Sequence, residues 1–533
     1  MFRQPLSHSW LLLSLLLLLA FSSSGLHASP VAKPPIVATL DKAFDYSAKN
    51  CRVPFRVKLE NTTSSDRTAT LEFKESWGSG KGNSHIYPFF IPAGESIQAV
   101  VYPSVSNNLL YEIKESSEGS FYIDINTDTK DLYAVIQENT PADWHLLSTS
   151  SFDAGVSPCD LMKWPADYRV YEGQSCLIIP EKTYQTYFDE AHRKAIRQWV
   201  LGGGNLWLIG DKGQPVSTQM LGHGRILHVP SLEGLPEKEK KLKLEEFVKL
   251  HVKRDSYPPL SATAPYFLST PSTLLGLVLI IFAVLVGPMC LFLWAPAGKR
   301  HRLFLLIPAI SLGFSILLFL LILIGDGMGG TGKREVLIQI NPQDHSSLIT
   351  QSQICKTSVL LSNSFKLPEN AGITGTRLER AGKSTRNTED IKNATRQGEW
   401  CGGNWFTSRS TLKHQLIMPV ATRAELTLLE TLPDGTPVFQ STFPGTLRHL
   451  AYQDASGKYW TIDHLPPGQK THALPSVPVE KPSEPLPEHF LATMDPVEGE
   501  LGPISTLPSI TWEKTTITVS GPVSATPQPH EQP

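Results

Sequence analysis

The sequence lacks any strong imbalance of charge. Its 533 residues include 48 lysine and arginine residues and 50 aspartate and glutamate residues, so the formal net charge is −2. Proteins that bind nucleic acid usually carry a basic face and a basic isoelectric point. The balance therefore argues against a nucleic-acid partner. Charged residues make up only 18% of the chain, as expected of a chain that is partly embedded in a membrane.

Two long stretches lack charged residues altogether. Residues 274–294 and 303–324 are apolar throughout, and each matches the ~20 residues with which a helix crosses ~30 Å of hydrocarbon. The pattern predicts a two-helix transmembrane hairpin, with the lipid bilayer as its partner. Because neither stretch holds a charged residue, the hairpin offers no ion pathway and indicates an anchor rather than a channel or transporter.

The short connection between these stretches, residues 295–302, contains Lys299, Arg300 and Arg302. Basic loops stay in the cytoplasm, so both large flanking regions are expected on the opposite side. The N-terminus agrees, because residues 1–28 combine Arg3 with a short apolar run and a small-residue end that are typical of a secretory signal peptide. An uncleaved first anchor is the alternative.

Cysteine is scarce, and no two cysteines form the C-x-x-C pattern of zinc sites. We expect no metal and no cofactor. In an exported region disulfides become possible, and pairing of Cys159 with Cys176 is the first expectation. Pairing of Cys355 with Cys401 is the second, although the sequence alone does not fix the pairing.

Short alternating segments between turn residues predict two β-sandwiches. The first covers residues 30–129 and is expected to be immunoglobulin-like. The second is a β-rich exported domain at residues 325–475. A linker is expected at 253–273. Residues 475–533 contain 12 prolines, and this composition predicts that 476–533 form a disordered tail.

Residues 130–252 change to an α/β pattern. The apolar runs LYAVIQ, CLIIP and LWLIG predict buried strands, and the segment around Ile196 and Trp199 has helical periodicity. Gly202 is expected to end that helix in the left-handed conformation, which glycine adopts at little cost. Strands alternating with helices indicate a parallel sheet with right-handed crossovers.

One stretch of this domain supports a family resemblance. Tyr171, CLIIP, AHRKAIRQWVLGGGNLWLIG and GHGRILHVP together resemble the class I glutamine amidotransferase-like, flavodoxin-like domain of bacterial membrane-anchored envelope proteins, a largely uncharacterised group. The resemblance implies a signal peptide, a β-sandwich, this domain and membrane spans. It also implies the bacterial inner membrane, with both large soluble regions periplasmic or extracellular.

The chemistry of active amidotransferases is not expected here. Those enzymes resemble one another in a cysteine on a sharp turn after a strand, whereas the strand ending at Gly210 runs into Asp211, Lys212 and Gly213. We therefore predict no catalytic residue and regard Gly210–Gly213 as a possible ligand cleft at a strand end. Residues 327–333 fit the spacing of a phosphate-binding loop, but they follow a membrane span and lack the required Ser or Thr.

The sequence thus predicts a multidomain protein that combines α/β and all-β parts with a transmembrane hairpin. The expected function is a non-catalytic scaffold, accessory or sensor for other envelope proteins. A thiol hydrolase acting through Cys159 or Cys176 is one alternative. A glycan- or ligand-binding protein that uses Trp400 and Trp405 is another.

Overall fold

A computed structural model describes residues 35–77, 80–105, 109–114, 121–123, 130, 132–148, 153–250, 272–294, 303–381, 385–476 and 488–525. Strands account for 48% of the structure and helices for 21%. The protein is therefore a β-rich multidomain molecule. The expected signal peptide, the cytoplasmic loop with Lys299, Arg300 and Arg302, and almost all of the expected linker lie outside the described residues.

The N-terminal region folds into short antiparallel strands around an apolar core. One sheet has the order β1-β3-β6, and β4, β5, β8 and β9 belong to a second sheet. Alternate residues of β3 and β4, among them Phe55 and Phe73, are buried between the two sheets, as period-2 alternation requires. The strands are β1 (Ile36–Lys42), β2 (Cys51–Arg52), β3 (Phe55–Asn61), β4 (Arg67–Trp77), β5 (Gly80–Ile91), β6 (Ser96–Val101), β7 (Ser104–Val105), β8 (Leu109–Lys114) and β9 (Phe121–Ile123).

The next region is built on a six-stranded sheet. Its strands are β10 (Leu132–Gln137), β11 (Ala154–Cys159), β12 (Cys176–Pro180), β13 (Asn205–Ile209), β14 (Ser217–Leu221) and β15 (Gly224–Val229), and their order is β11-β10-β12-β13-β15-β14. All neighbours are parallel except β14, which pairs antiparallel with β15. Without β14 the order is 2-1-3-4-5, which doubly wound domains of the flavodoxin type share.

Helices cover both faces of this sheet. They are α1 (Glu181–Thr186), α2 (Glu190–Leu201) and α3 (Glu237–Lys249). The Asp189 carboxylate caps α2 by accepting a hydrogen bond from the His192 amide at 2.8 Å. Trp199 of α2 packs on one face of the sheet, and Phe247 of α3 packs on the other. The left-handed residue after α2 is Gly203, at φ +108°, and not Gly202 as expected.

The chain that follows α3 contains two apolar helical stretches. The first is α4 (Ser272–Val284), which continues as a π-helix over Leu285–Trp294 with Pro288 inside it. The second is α5 (Leu303–Asp326). Among the described residues, one helix is long and apolar enough to cross a membrane, at Leu303–Leu321, and a shorter apolar helix covers Gly276–Cys290. The two stretches touch, with the rings of Phe282 and Phe314 5.2 Å apart.

The region after α5 is dominated by a ten-stranded sheet with the order β20-β19-β23-β17-β16-β31-β30-β26-β27-β29, beside a four-stranded sheet with the order β28-β25-β24-β32. Its strands are β16 (Gly330–Asn341), β17 (Ser346–Thr357), β18 (Phe365–Lys366), β19 (Gly372–Ala381), β20 (Thr385–Asp390), β21 (Ala394–Gln397), β22 (Trp400–Gly403), β23 (Thr411–Ala421), β24 (Leu426–Thr431), β25 (Pro437–Ser441), β26 (Leu447–Gln453), β27 (Tyr459–Leu465), β28 (Lys470–His472), β29 (Leu474–Ser476), β30 (His489–Met494), β31 (Ile510–Pro522) and β32 (Ser524–Ala525).

The expectation of a disordered tail at 476–533 is wrong for residues 488–525. Strand β31 lies in the middle of the ten-stranded sheet, parallel to β16 and antiparallel to β30. Ile517 and Val519 are buried in the core. The sole proline within β31 is its last residue, Pro522, so the prolines of this stretch leave the backbone donors of residues 510–521 in place.

The expected separation of the two β-rich regions is also wrong. Strand β21, from the region after α5, pairs in parallel with β5 of the N-terminal region, with Thr395 opposite Ser84. The resulting sheet has the order β18-β22-β21-β5-β4-β8-β9. Helix α2 also packs against Leu348 and Ile417 of the region after α5. The chain before α4 and the chain after α5 therefore form one folded body.

Candidate functional site

The predicted ligand cleft lies at the carboxyl edge of the parallel sheet. Gly210 follows β13 directly, and its amide donates to the Val229 carbonyl at 2.8 Å. The side chain of Gln214 closes over Gly210, where an added Cβ would lie 1.6 Å from Gln214 Oε1. The same Oε1 accepts from the Asp211 amide at 3.1 Å. Gly213 has a φ of +83°, and an added Cβ there would lie in open space. The turn at this edge therefore depends on glycine because of its backbone conformation.

Charged side chains surround that turn. The ammonium group of Lys182 lies 3.3 Å from Asp211 Oδ1, and both side chains are more than four-fifths exposed. His228 Nδ1 lies 3.6 Å from Glu181 Oε1. The Glu181 and His228 pair, which no sequence pattern indicated, joins the ends of β12 and β15, the two strands on either side of β13. The edge is suited to polar contacts with a ligand or partner, because its charged groups are accessible to solvent.

The four cysteines predicted to pair have free thiols in the structure. Cys159 packs on the α2 face of the parallel sheet and Cys176 on the α3 face, so the sheet separates them. Cys355 and Cys401 share the core of the region after α5. The pairings were expected because each pair lies within one predicted domain, but sequence spacing does not reveal which face of a sheet a side chain takes.

Burial also removes the reactivity of these thiols. It raises the pKa of Cys159 and Cys355 to about 12 and that of Cys401 to about 11, and it raises the pKa of Cys176 well above its usual range. Thiolates, not thiols, are the nucleophiles of cysteine enzymes. These properties argue against a hydrolase that uses Cys159 or Cys176.

The two tryptophans considered for glycan binding do not form a common platform. Trp400 is 44% exposed, whereas Trp405 is 5% exposed and donates from Nε1 to the Thr395 carbonyl at 3.3 Å. The ring of Trp400 lies over Gly402, where an added Cβ would come within 2.1 Å of it. A stacked sugar would find one accessible ring here, not two.

The three regions are joined by a set of polar contacts that the sequence did not predict. We call this set of contacts the arginine junction. Its members are Arg52 of the N-terminal region, Arg169 of the α/β region, Arg396 of the region after α5, and the backbone carbonyls of residues 368–371. Arg52 Nη1 donates to the Asn370 carbonyl at 3.1 Å, and Arg396 Nη1 donates to the Ala371 carbonyl at 2.7 Å. Arg169 Nη1 reaches the Glu369 carbonyl at 3.4 Å.

A buried ion pair anchors this junction. Arg52 Nε lies 2.5 Å from Glu172 Oε2, with the two side chains 5% and 4% exposed. Arg52 also donates to the hydroxyl of Tyr168, which donates in turn to the Asn370 carbonyl. The partners of Arg52 lie 116 to 318 residues away in sequence. No local sequence pattern identifies a residue whose partners are so distant, so the role of Arg52 could not be predicted from the sequence.

An open cleft with an empty volume of about 410 Å³ lies beside the β5–β21 pairing. Its lining includes Glu75, His85, Asp390 and Trp405. Burial, together with the charges of Arg396 and Arg52, lowers the pKa of His85 to about 3, so its imidazole is neutral at pH 7. Its Nε2 accepts from the Ser104 amide at 3.3 Å. Over the described part of the chain, no three His, Cys, Asp or Glu side chains are arranged to hold a metal ion.

No protein-family model matches the sequence, and no curated protein matches it. Among solved structures, a cycloisomaltooligosaccharide glucanotransferase of Paenibacillus aligns at a TM-score of 0.19 and 9% identity, over 71% of this chain and 69% of that one. The yeast delta-COP-I mu-homology domain aligns at 0.19 and 10%, over 37% and 96%. An exo-chitosanase of Amycolatopsis orientalis aligns at 0.15 and 8%, over 82% and 76%. Such low TM-scores carry no argument about fold or activity.

Proposed function

We propose that the protein is a membrane-anchored scaffold of the bacterial envelope, with both soluble regions on the outer side of the inner membrane. The observation that carries this proposal is the shared sheet. Strand β5 pairs with β21, and Asn83 at the start of that pairing donates to the Ile391 carbonyl at 2.9 Å and accepts from the Ala394 amide at 3.0 Å. The regions before and after the membrane segment are one body.

The shared sheet supports the hairpin topology. Two parts of one folded body lie on one side of a membrane, so the chain between them crosses an even number of times. Helix α5 alone would give one crossing. The apolar stretch from Ser272 to Trp294 provides the second, and its contact with α5 through Phe282 and Phe314 fits two antiparallel spans. The π-helical turns around Pro288 are a usual adjustment to a proline inside a span.

The side of the membrane on which we place the folded body follows from the loop between the two spans. Lys299, Arg300 and Arg302 belong to the eight-residue loop 295–302, and the positive-inside rule keeps short basic loops in the cytoplasm. The folded body then lies outside, in agreement with the signal peptide expected at residues 1–28.

The buried cysteines and the exposed charged side chains of the α/β region favour a scaffold over an enzyme. Its cysteines are buried and their pKa values are raised, whereas Lys182 and Asp211 at the carboxyl edge are exposed. The strand order 2-1-3-4-5 supports a flavodoxin-like arrangement for this region, and the amidotransferase-like assignment is a proposal from the sequence resemblance. We propose that the domain is non-catalytic and contacts other envelope proteins.

Cysteine labelling in spheroplasts tests the topology. Lys182→Cys, Ser456→Cys and Lys299→Cys place probes before the spans, after the spans and in the loop. An impermeant maleimide should label the first two in intact spheroplasts and the third only after lysis, with labelling of the unsubstituted protein subtracted. Labelling of positions 182 and 456 from opposite sides would refute the hairpin.

A photo-crosslinking amino acid tests the scaffold. It is placed at Lys182 or Lys212 on the carboxyl edge and, as a control, at Ser456 in the turn between β26 and β27. One recurrent envelope protein should be captured from the edge positions and not from position 456. A failure to crosslink at both edge positions would contradict a docking role for that edge.

A further inference from the structure

We propose that the segment Ser358–Ser364, which we call the interfacial loop, rests together with Met328 in the headgroup layer of the bilayer beside the exit of α5. The inference rests on the proposed function, because it requires α5 to span the membrane. It adds a second contact between the folded body and the lipid, and this contact would restrain the orientation of that body.

The interfacial loop is tied to the chain where it leaves the membrane. Helix α5 ends at Asp326. The Gly329 amide donates to the Val359 carbonyl at 2.9 Å, and the Ser358 amide donates to the Gly329 carbonyl at 2.8 Å. Met328 and Val359 form a parallel β-bridge. Within three residues of the end of the helix, the loop is therefore held by main-chain hydrogen bonds.

Helix length places this attachment at the membrane surface. The 24 residues of α5 extend ~36 Å at 1.5 Å each, and the hydrocarbon is ~30 Å thick with a headgroup layer of ~6 Å on each side. Asp326 is the first charged residue after the span and fits the headgroup level. Leu361 is two residues from Val359, which limits its distance from that residue to ~7 Å.

The chemistry of the loop suits a lipid interface. Leu361 is 85% exposed and Met328 is 61% exposed. Leu361 is followed by Ser362, Asn363 and Ser364, and the loop SVLLSNS contains no acidic residue that anionic headgroups would repel. Leu360 packs partly against the core of the region after α5, and its amide donates to Ser408 Oγ at 3.1 Å. These contacts of Leu360 hold the loop against the protein, while Leu361 projects from the protein surface.

Quenching by brominated phosphatidylcholine tests the contact on full-length protein in nanodiscs. An environment-sensitive fluorophore is attached to Leu361→Cys, to Phe319→Cys within α5, and to Gln343→Cys. Gln343 is exposed in the turn at the far end of β16, ~36 Å from Gly330 by strand length. The unsubstituted protein gives the background, and unchanged thermal unfolding midpoints verify that each variant is folded.

We expect a loss of fluorescence at position 361 that is greater with bromines near the headgroups than with bromines deep in the chains. Position 319 should show the opposite preference, and position 343 should show no loss. Quenching at 319 without quenching at 361 would overturn the interfacial loop and leave the anchor intact. No quenching at either position would refute the membrane anchor itself. A blue-shifted but unquenched probe at 361 would mean that a second copy of the protein covers the loop, and this result would also overturn the proposal.

Discussion

At the scale of single residues, the least predictable feature of the sequence is the arginine junction. Arg52 occupies an ordinary position in a two-residue strand, yet it contacts Glu172, Tyr168 and Asn370 in two other regions of the fold. Polar groups that lose water on burial must regain partners. Arg52 does so only after all three regions assemble, so its role depends on contacts that no sequence window contains.

Substitution of Arg52 should destabilise the whole body. Arg52→Ala leaves Glu172 buried without its cation, a change that costs about 3–5 kcal/mol of unfolding free energy. The control is Arg448→Ala, which removes an ion pair with Asp495 whose side chains are 49% and 43% exposed, and exposed pairs of this kind contribute little to stability. Urea unfolding in detergent measures both. Equal midpoints for the two variants would mean that the junction does not hold the regions together.

Two buried histidines should make the protein sensitive to acid. Burial lowers the pKa of His85 to about 3 and that of His414 to about 4. Because the unfolded chain binds these protons at the ordinary pKa of 6.5, their contribution to stability is complete above pH 6.5 and is lost as the pH falls toward 4 and 3. The urea midpoint should therefore decrease across this window. His414→Gln should show a shallower decrease, and an unchanged slope would contradict the assignment.

At the scale of elements, the sequence predicted strands and helices correctly where the spacing of apolar residues follows the burial of their side chains. The strands LYAVIQ, CLIIP and LWLIG and the helix containing Trp199 were all predicted, because an apolar run or an apolar helical face identifies them. Strand β31, in contrast, lies in a stretch that was expected to form a disordered tail. The prolines on either side of it dominated the composition, and composition contains no information about the strands with which a segment pairs.

Removal of β31 should abolish folding of the region after α5. Truncation that removes residues 509–533 takes away hydrogen-bonded neighbours of both β16 and β30. We expect the truncated protein to be degraded rapidly in the membrane fraction. A truncation that removes only residues 526–533 is the control and should accumulate at the normal level. Comparable protease resistance of the two truncated proteins would show that β31 is dispensable.

At the scale of the whole molecule, the prediction of separate domains along the chain failed for a physical reason. Each β-rich region was assigned its own sandwich, because strands that are close in sequence usually pair. The β5–β21 pairing instead joins residues 311 positions apart. The positions of the apolar stretches were predictable from composition, and so was the α/β pattern. The assembly of the two regions that flank the apolar stretches was not predictable.

A designed disulfide tests this assembly directly. Ser84 Oγ and Thr395 Oγ1 lie 3.2 Å apart, so Ser84→Cys and Thr395→Cys together should form a disulfide under mild oxidation. Cleavage engineered between residues 251 and 271 should then leave the two halves linked until a reductant is added. On a denaturing gel the halves of the matched control, Ser84→Cys with Ser456→Cys, should separate without reductant, because only a disulfide survives denaturation. Separation of the first pair under the same conditions would contradict the shared sheet.

The β5–β21 pairing also determines when the protein can finish folding during its biosynthesis. Strand β5 emerges from the ribosome 311 residues ahead of its partner, a delay of roughly 15–60 s at bacterial rates of about 5–20 residues per second. During that interval its edge is an unpaired template for other strands. In the topology that we propose, the nascent chain would need protection from such pairing on the outer side of the membrane until the last strands have been translocated.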